Sequence, residues 1–319
     1  MGSPSGLWTS VSGGMAQSQN LDIIANNLAN ANTTGFKKDT PTFKEYLTAV
    51  ERPPSPAIDI PRTAFKDSDF YHFDGREHAK VNLDKVHTDY TQGPMRPTNA
   101  PFDLALDGPG FFAVQTPNGI MYTRAGDFKL SADGALVTND GYPLLALAGE
   151  AAEARQAAIE AAAQQGDGGP QAQNTPAATR SPAAVNPFNN PLGANGQPVL
   201  QPVQLKGALA NGEKLLIASG GEIYSGDQLV GVLAVAEFAD SKLLQKTTST
   251  LYANANGANV PKVAGLSKVR QGFLESSNVN PVSELVELLK ANRMYESNMR
   301  AIKAYNDMSA KEANEVGKL

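Results

Sequence analysis

The sequence predicts an α+β fold, with helical segments at both ends of the chain and a central, mainly antiparallel β domain. Apolar residues recur at helical spacing near the N-terminus and again after residue 280, whereas the middle alternates short apolar runs with Gly-containing turns. Helices so far apart in sequence must bury their apolar faces against each other or against a neighbouring molecule. This organisation favours an assembling subunit over a self-contained enzyme.

The composition excludes several classes of protein. The 319 residues carry a net charge of -5, which argues against nucleic-acid binding because that function needs a basic surface. The absence of cysteine excludes disulfides and thiolate chemistry. No apolar run approaches the roughly 20 residues of a membrane span. Residues 1–20 lack the basic and apolar segments of a Sec signal peptide, so we expect any export to use another route.

An N-terminal helical segment is predicted over residues 1–50. Its apolar stripe advances in steps of four and three through Leu7, Val11, Gly14, Ser18, Leu21, Ala25 and Leu28. Gly13 and Gly14 each cost roughly 1 kcal/mol relative to alanine, so this helix is expected to be marginal alone. Gly35 supplies a break after the Asn- and Thr-rich stretch 30–34. A further short helix is predicted from the spacing of Phe43, Tyr46, Leu47 and Val50.

An extended connector is predicted over residues 51–92. Its prolines oppose helix formation and stiffen the segment, and they lie at Pro53, Pro54, Pro56 and Pro61. Its histidines lack the close spacing of a metal site, and we expect them to be exposed polar residues: His72, His78 and His87.

Residues 93–270 are predicted to form the β domain, as an antiparallel sandwich or small barrel. Asn118-Gly119 is typical of a hairpin turn, and the Asp-Gly pairs at 133–134 and 140–141 repeat this chemistry. Another hairpin is expected at residues 221–227, and the Val-rich run 229–238 is expected to be a fully buried strand.

An insert at about residues 149–200 interrupts the β pattern. Residues 149–165 are rich in Ala, Glu and Gln and predict a short helix. Residues 166–195 contain almost no large apolar side chains, so they predict a mobile excursion that cannot offset its ordering entropy. A tolerated surface loop is favoured here over a contact with surrounding structures.

A long C-terminal helix is predicted within residues 271–319. Asn280 suits the N-cap and Pro281 the first helical position, while Glu284 and Glu287 lie near the positive end of the helix dipole. The expected apolar stripe contains Val282, Leu285, Leu289, Met299 and Ile302, with Leu288, Tyr295, Tyr305 and Met308 alongside. Asn292 falls in this stripe, where a polar residue is either tolerated or fixes the register of a coiled coil.

The sequence contains no convincing catalytic motif. Gly108-Pro109-Gly110 lacks the Lys-Ser/Thr of a phosphate loop, and no Gly-x-Ser-x-Gly elbow is present. The helix dipole explains Glu284 and Glu287 better than acid–base chemistry does. We therefore predict no enzymatic activity, no cofactor and no metal.

Three ordered blocks resemble the flagellar rod and hook family. The first is Asn26-Asn27-Leu28-Ala29-Asn30 followed by Thr34-Gly35-Phe36-Lys37. The second runs from Phe102-Asp103-Leu104 to Tyr122-Thr123-Arg124-Ala125-Gly126-Asp127-Phe128. The third is Ser277-Asn278-Val279-Asn280-Pro281-Val282 with Glu284-Leu285-Val286.

This resemblance implies a structural subunit of the bacterial flagellar basal-body rod. Its partners would be copies of itself, other flagellar axial rod proteins and the flagellar type III export apparatus, and its location would be the periplasmic rod. The terminal helices would pair as a coiled coil lining a tubular assembly, with the β domain outside and the connector wedged between neighbours. Gly93-Pro94-Met95 and the run 229–238 favour the proximal rod, with the distal rod or a hook-type axial protein as the alternative.

The expected assembly interface draws on both ends of the chain. Its residues are Leu21, Ile24, Asn27, Leu28, Phe36, Val279, Val282, Leu285, Leu289, Tyr295, Met299 and Ile302. The rival hypothesis is a secreted β domain that binds a ligand such as a glycan, with helices that serve only for export. A cleft rich in Trp and Tyr would favour the rival, but the single tryptophan, Trp8, lies in the N-terminal helix.

Overall fold

The computed structural model describes residues 5–48, 78–147, 188, 200–205, 215–226, 228–263, 265 and 267–316. The chain divides into two compact units. The helical unit comprises residues 1–29, 39–87 and 280–319, and the β unit comprises residues 30–38 and 88–279. The described residues have the predicted α+β fold, with a mainly antiparallel β unit.

Two long helices and a two-stranded sheet form the helical unit. α1 (Ser5–Ala29) and α2 (Pro281–Val316) confirm both predicted helices. Asn280 caps α2 as predicted, because its Oδ1 accepts hydrogen bonds from the N–H groups of Val282 and Ser283 at 3.1 and 3.4 Å. Neither helix, over its described length, is apolar enough to cross a membrane.

The short helix predicted around Phe43 is wrong. Its described residues belong to β1 (Asp39–Thr48), which pairs with β2 (His78–Thr88). Thr40, Thr42 and Phe43 are good strand formers, and Pro41 opposes a helix. The partner strand is distant in sequence, so local spacing could not reveal the pairing. Residues 49–77, which hold the rest of that segment and most of the predicted connector, lie outside the described residues.

The β unit is built from short strands, and all its registered pairs are antiparallel. The strands are β3 (Met95–Pro97), β4 (Leu104–Asp107), β5 (Phe111–Thr116), β6 (Gly119–Thr123), β7 (Lys129–Leu130), β8 (Leu136–Val137), β9 (Leu145–Leu147), β10 (Leu200–Pro202), β11 (Leu215–Ile217), β12 (Glu222–Ser225), β13 (Gln228–Leu233), β14 (Val235–Glu237), β15 (Gln245–Lys246), β16 (Leu251–Ala253), β17 (Lys262–Val263), β18 (Lys268–Gln271) and β19 (Phe273–Glu275). One sheet has the order β10-β9-β13-β12-β11 and another the order β15-β16-β6-β5-β14-β17; β18 pairs with β4, β19 with β3 and β7 with β8.

The predicted turns are confirmed. β5 and β6 form the hairpin closed at Gly119, whose φ of 109° is accessible mainly to glycine. β12 and β13 form the hairpin expected at 221–227. The helix and excursion predicted at 149–195 lie outside the described residues, apart from Phe188.

The single buried strand predicted over 229–238 is wrong in extent. The segment contains β13 and β14, and the first residues of β13, including Leu229 and Val230, are exposed. Among the described residues, β9 pairs with β13 at Val232 and Leu233, the buried end of the strand. Within the same residues, the exposed first half of β13 is paired with β12 alone.

β5 lies at the centre of the β unit, between two apolar clusters. Phe112 and Val114 point into one cluster, together with Leu104, Leu136 and Leu144. Phe111 and Ala113 point into the other, together with Tyr122, Leu145 and Tyr252. Side chains alternate along a strand, so burial on both faces explains the continuous apolar run of β5.

Tyr122 gives the β unit a measurable pH dependence. Its ring packs edge-on against Phe238 with centroids 4.8 Å apart, and burial raises the pKa of Tyr122 to about 12. The unfolded chain loses this proton near pH 10. The stability contributed by the neutral phenol is therefore complete below pH 10 and is lost as the pH rises from about 10 to about 12.

We expect Tyr122→Phe to remove this alkaline loss. Urea denaturation of both proteins from pH 8 to pH 12 should show the wild type losing about 2–3 kcal/mol relative to the variant above pH 10. Parallel pH profiles would contradict the prediction.

Candidate assembly surfaces and buried charge cluster

One face of α2 is covered by α1. The covered positions of α2 recur in steps of four and three, and they are Glu284, Leu288, Ala291, Tyr295, Asn298, Ile302 and Tyr305. At Gly13 of α1, an added Cβ would lie 3.4 Å from Nδ2 of Asn298, which is an ordinary van der Waals contact. Gly13 therefore faces α2, and the space there would also accept an alanine.

Asn27 and Glu284 form a buried polar contact between the helices. Each is 1% exposed, and Nδ2 of Asn27 lies 3.4 Å from Oε2 of Glu284. The Asn27 amide also donates to the carbonyl of Asp39 at 2.8 Å and accepts from its N–H at 3.0 Å. Asn27 thus ties the end of α1 to both α2 and β1.

The opposite face of α2 carries an exposed apolar patch. We call this the outer patch, and it consists of Val282 (71% exposed), Leu285 (48%), Val286 (47%) and Leu289 (57%). Other large apolar side chains of the helices are also exposed: Trp8, Met15, Met294, Met299 and Met308. An exposed apolar cluster on a helix already packed on its other face is typical of a protein-protein contact surface.

The twelve residues expected at the interface fall into three groups. Val282, Leu285, Leu289 and Met299 are exposed; Leu21, Leu28, Tyr295 and Ile302 are half-buried; Ile24, Asn27, Phe36 and Val279 are buried within the chain itself. The single stripe predicted on α2 combines two faces, because Tyr295 and Ile302 lie toward α1 while the outer patch points away. Asn292 is exposed and bonds Glu296, so the buried polar contact is made by Asn27 and Glu284.

Inside the β unit, the segment Asn30–Lys38 lies beside residues 275–278. The N–H of Gly35 donates to the carbonyl of Glu275 at 2.8 Å, and the N–H of Lys38 donates to Oδ1 of Asn278 at 2.8 Å. Nδ2 of Asn278 donates to the carbonyl of Asp89 at 2.8 Å. The first and third sequence blocks therefore lie side by side, and each of the first two bonds joins a motif residue of one block to a residue close beside the other block.

A buried charge cluster, consisting of Lys37, Arg124 and Glu275, lies at this meeting point. Glu275 is fully buried, with Oε1 2.5 Å from Nζ of Lys37 and Oε2 3.1 Å from the Arg124 guanidinium. Oε1 also accepts a hydrogen bond from the N–H of Gly93 at 2.9 Å. This cluster was not predicted from the sequence, although all three charges lie within or close to the motif blocks.

The cluster holds two cations against one carboxylate. Burial lowers the pKa of Lys37, and the attraction of Glu275 opposes this shift. Burial likewise lowers the pKa of Arg124, again opposed by Glu275. Each cation also donates to a backbone carbonyl, Lys37 to Thr91 and Arg124 to Gly108, both at 2.6 Å, whereas Nε of Arg124 is buried without a hydrogen-bond partner in the described part of the chain. Both cations therefore depend on Glu275 for their only carboxylate contact among the described residues.

A cavity of about 170 Å³ also lies in the β unit. Its lining includes Thr33, Asp127, Asn139, Asp140 and Thr250, and none of its lining residues is aromatic. A glycan-binding cleft would be expected to offer aromatic rings, so this cavity gives the rival hypothesis little support. Within the described ranges, no group of three or more His, Asp or Glu side chains is placed to hold a metal ion.

Comparisons with known proteins match all three sequence blocks. Residues 7–37 match the family described as "Flagella basal body rod protein", residues 105–167 match "Flagellar hook protein FlgE/F/G D1 domain", and residues 270–316 match "Flagellar basal body rod FlgEFG protein C-terminal".

Full-length relatives agree with these matches. The chain is 30% identical to flagellar basal-body rod protein FlgG of Bacillus subtilis, over 93% of each chain. It is 28% identical to FlgG of Buchnera aphidicola subsp. Schizaphis graminum, over 96% of this chain and 97% of that protein. It is 29% identical to flagellar basal-body rod protein FlgF of Caulobacter vibrioides, over 98% of each chain. The chain therefore belongs to the flagellar basal-body rod protein family.

Proposed function

We propose that this protein is a structural subunit of the flagellar basal-body rod, which assembles with copies of itself and with other axial proteins. The observation that carries the proposal is the pair of apolar faces on α2. α1 covers one face, and the outer patch leaves the other available for a neighbouring subunit. A helical assembly needs such contacts between two different surfaces, because a contact between unlike surfaces can repeat without closing.

We further propose that α1 and α2 pair as a coiled coil. The covered positions of α2 alternate in steps of four and three, which is the heptad pattern. The buried contact between Asn27 and Glu284 supports this proposal, since a single buried polar layer favours one register over its alternatives. Of the twelve interface residues, the four exposed ones would contact neighbours, and the buried ones would act by holding the helices and the motif segments in place.

For the position along the rod, we propose the proximal segment, with the distal rod as the alternative. Gly93-Pro94-Met95 and the run 229–238 carry this preference. Relatives of both names have similar identity, since the Caulobacter FlgF and FlgG proteins are 29% and 28% identical to this chain. Export through the flagellar apparatus without a cleaved signal peptide, and a place in the periplasmic part of the rod, complete the proposal.

Purification of basal bodies from a strain lacking this gene tests the proposal. We expect non-motile cells whose basal bodies lack a complete rod in electron micrographs, restored by the wild-type gene. Truncation close to the inner-membrane ring supports a proximal subunit, whereas truncation further out supports a distal one. Normal basal bodies would exclude a rod function and leave a secreted ligand-binding domain as the remaining hypothesis.

A further inference from the structure

Glu275 joins parts of the β unit that are far apart in sequence. Its carboxylate binds Lys37, Gly93 and Arg124, and its carbonyl accepts the N–H of Gly35. Lys37 and Glu275 are 238 positions apart, and Arg124 and Glu275 are 151 positions apart. No short stretch of the chain can therefore form this cluster by itself.

The backbones around the cluster pack without room for side chains. A Cβ at Gly35, whose φ is +67°, would lie 2.3 Å from the backbone N of Ala125. A Cβ at Gly93 would lie 2.0 Å from the carbonyl oxygen of Ser276. The segments thus meet backbone to backbone, and their approach brings Lys37 and Arg124 into an interior where each side chain is at most 2% exposed.

This packing would be unfavourable if Glu275 were not in place. Neither buried cation would then keep an ion pair with a carboxylate among the described residues, and an unpaired buried charge is strongly destabilising. Apolar side chains could fill the same volume without this condition, because they do not need a partner from elsewhere in the chain. The charges therefore make the packed state depend on correct pairing.

We propose that Lys37, Arg124 and Glu275 form a two-ended latch, by which the β unit packs only when the segment Asn30–Lys38 and strand β19 are both in place. Asn30–Lys38 directly follows α1, and β19 lies shortly before α2. The latch makes packing of the central strands conditional on the two segments that border the terminal helices.

Hydrogen exchange in the full-length protein tests the latch from each end. Glu275→Gln and Lys37→Met should both accelerate exchange about a hundredfold or more at the amides of β5 and β6, which are not part of the cluster. The same pattern from both substitutions supports the latch. Acceleration confined to residues 35–38, 93–97 and 273–278 in either variant would overturn it.

Two further variants separate charge from packing. Asp107→Asn removes an ion pair with Arg270 in the same unit, but these side chains are 40% and 52% exposed, so we expect less than about a fivefold change. The triple variant K37M/R124M/E275M replaces the cluster by apolar side chains of similar length. The triple variant should recover most of the protection lost in Glu275→Gln. If Glu275→Gln does not fold, the triple variant should still fold and be protected. Failure of the triple variant to recover protection would overturn the proposal, because shape rather than charge would then control packing.

Discussion

Replacement of Gly126 by alanine is expected to prevent stable folding of the β unit. The new Cβ would lie 1.6 Å from the carbonyl oxygen of Leu104, a distance that no side-chain rotation can relieve because both groups are attached to backbone. The same two residues are bonded, since the N–H of Leu104 donates to the carbonyl of Gly126 at 2.9 Å. Relief therefore requires separation of β4 from this loop, and we expect a loss of at least about 4 kcal/mol.

Urea denaturation followed by the near-ultraviolet circular dichroism of tyrosine measures this effect. Gly257→Ala is the matched control, because no heavy atom outside its chain neighbours lies within 4 Å of the added Cβ. We expect this control to change stability by less than about 1 kcal/mol. A Gly126→Ala protein as stable as the control would show that the loop and β4 can separate at little cost.

Introducing charge into the outer patch is expected to abolish assembly without unfolding the subunit. The double variant L285E/L289E places two carboxylates where an apolar neighbour is proposed to pack. Both leucines are exposed in the single chain, and substitutions at exposed positions usually change stability by less than about 0.5 kcal/mol each, so the monomer should remain folded. Loss of two central apolar anchors should weaken the subunit contact by about 2 kcal/mol or more for each residue.

Motility of cells carrying this variant, together with circular dichroism of the purified protein, measures both effects. Leu243→Glu is the matched control, because Leu243 is an exposed leucine of the β unit with 43% exposure. We expect the double variant to be folded but non-motile and the control to be folded and motile. Motile cells with complete basal bodies in the double variant would contradict a role of the outer patch in assembly.

The elements that the sequence predicted correctly are those determined by local chemistry. The cap of Asn280, the turn glycine at position 119 and the long periodic stretches of α1 and α2 each depend on residues close together in sequence. β1 was missed because its partner strand is distant, and the exposed half of β13 was missed because the burial of a strand depends on which segments lie beside it after folding. Local patterns do not contain either piece of information.

The candidate surfaces could be predicted only in part, again because local patterns do not show which segments meet after folding. The apolar residues of α2 were recognised, but their division into a covered face and an outer patch required knowledge of where α1 lies. Glu284 was attributed to the helix dipole alone, although it also meets Asn27 in a buried contact. The buried charge cluster could not be predicted from spacing, because Lys37, Arg124 and Glu275 come from three separate segments and are neighbours only after folding.

The hydrogen bonds of Asn27 have a consequence for unwanted aggregation. Its side-chain amide engages both the N–H and the carbonyl of Asp39, the two groups that a neighbouring strand would use at the start of β1. A helix side chain thus occupies the place of a strand partner at Asp39, so the N–H and carbonyl of this residue are already engaged and less available to a strand from another molecule. The proposed assembly with copies of itself needs such protection, because growth must proceed through the intended surfaces alone.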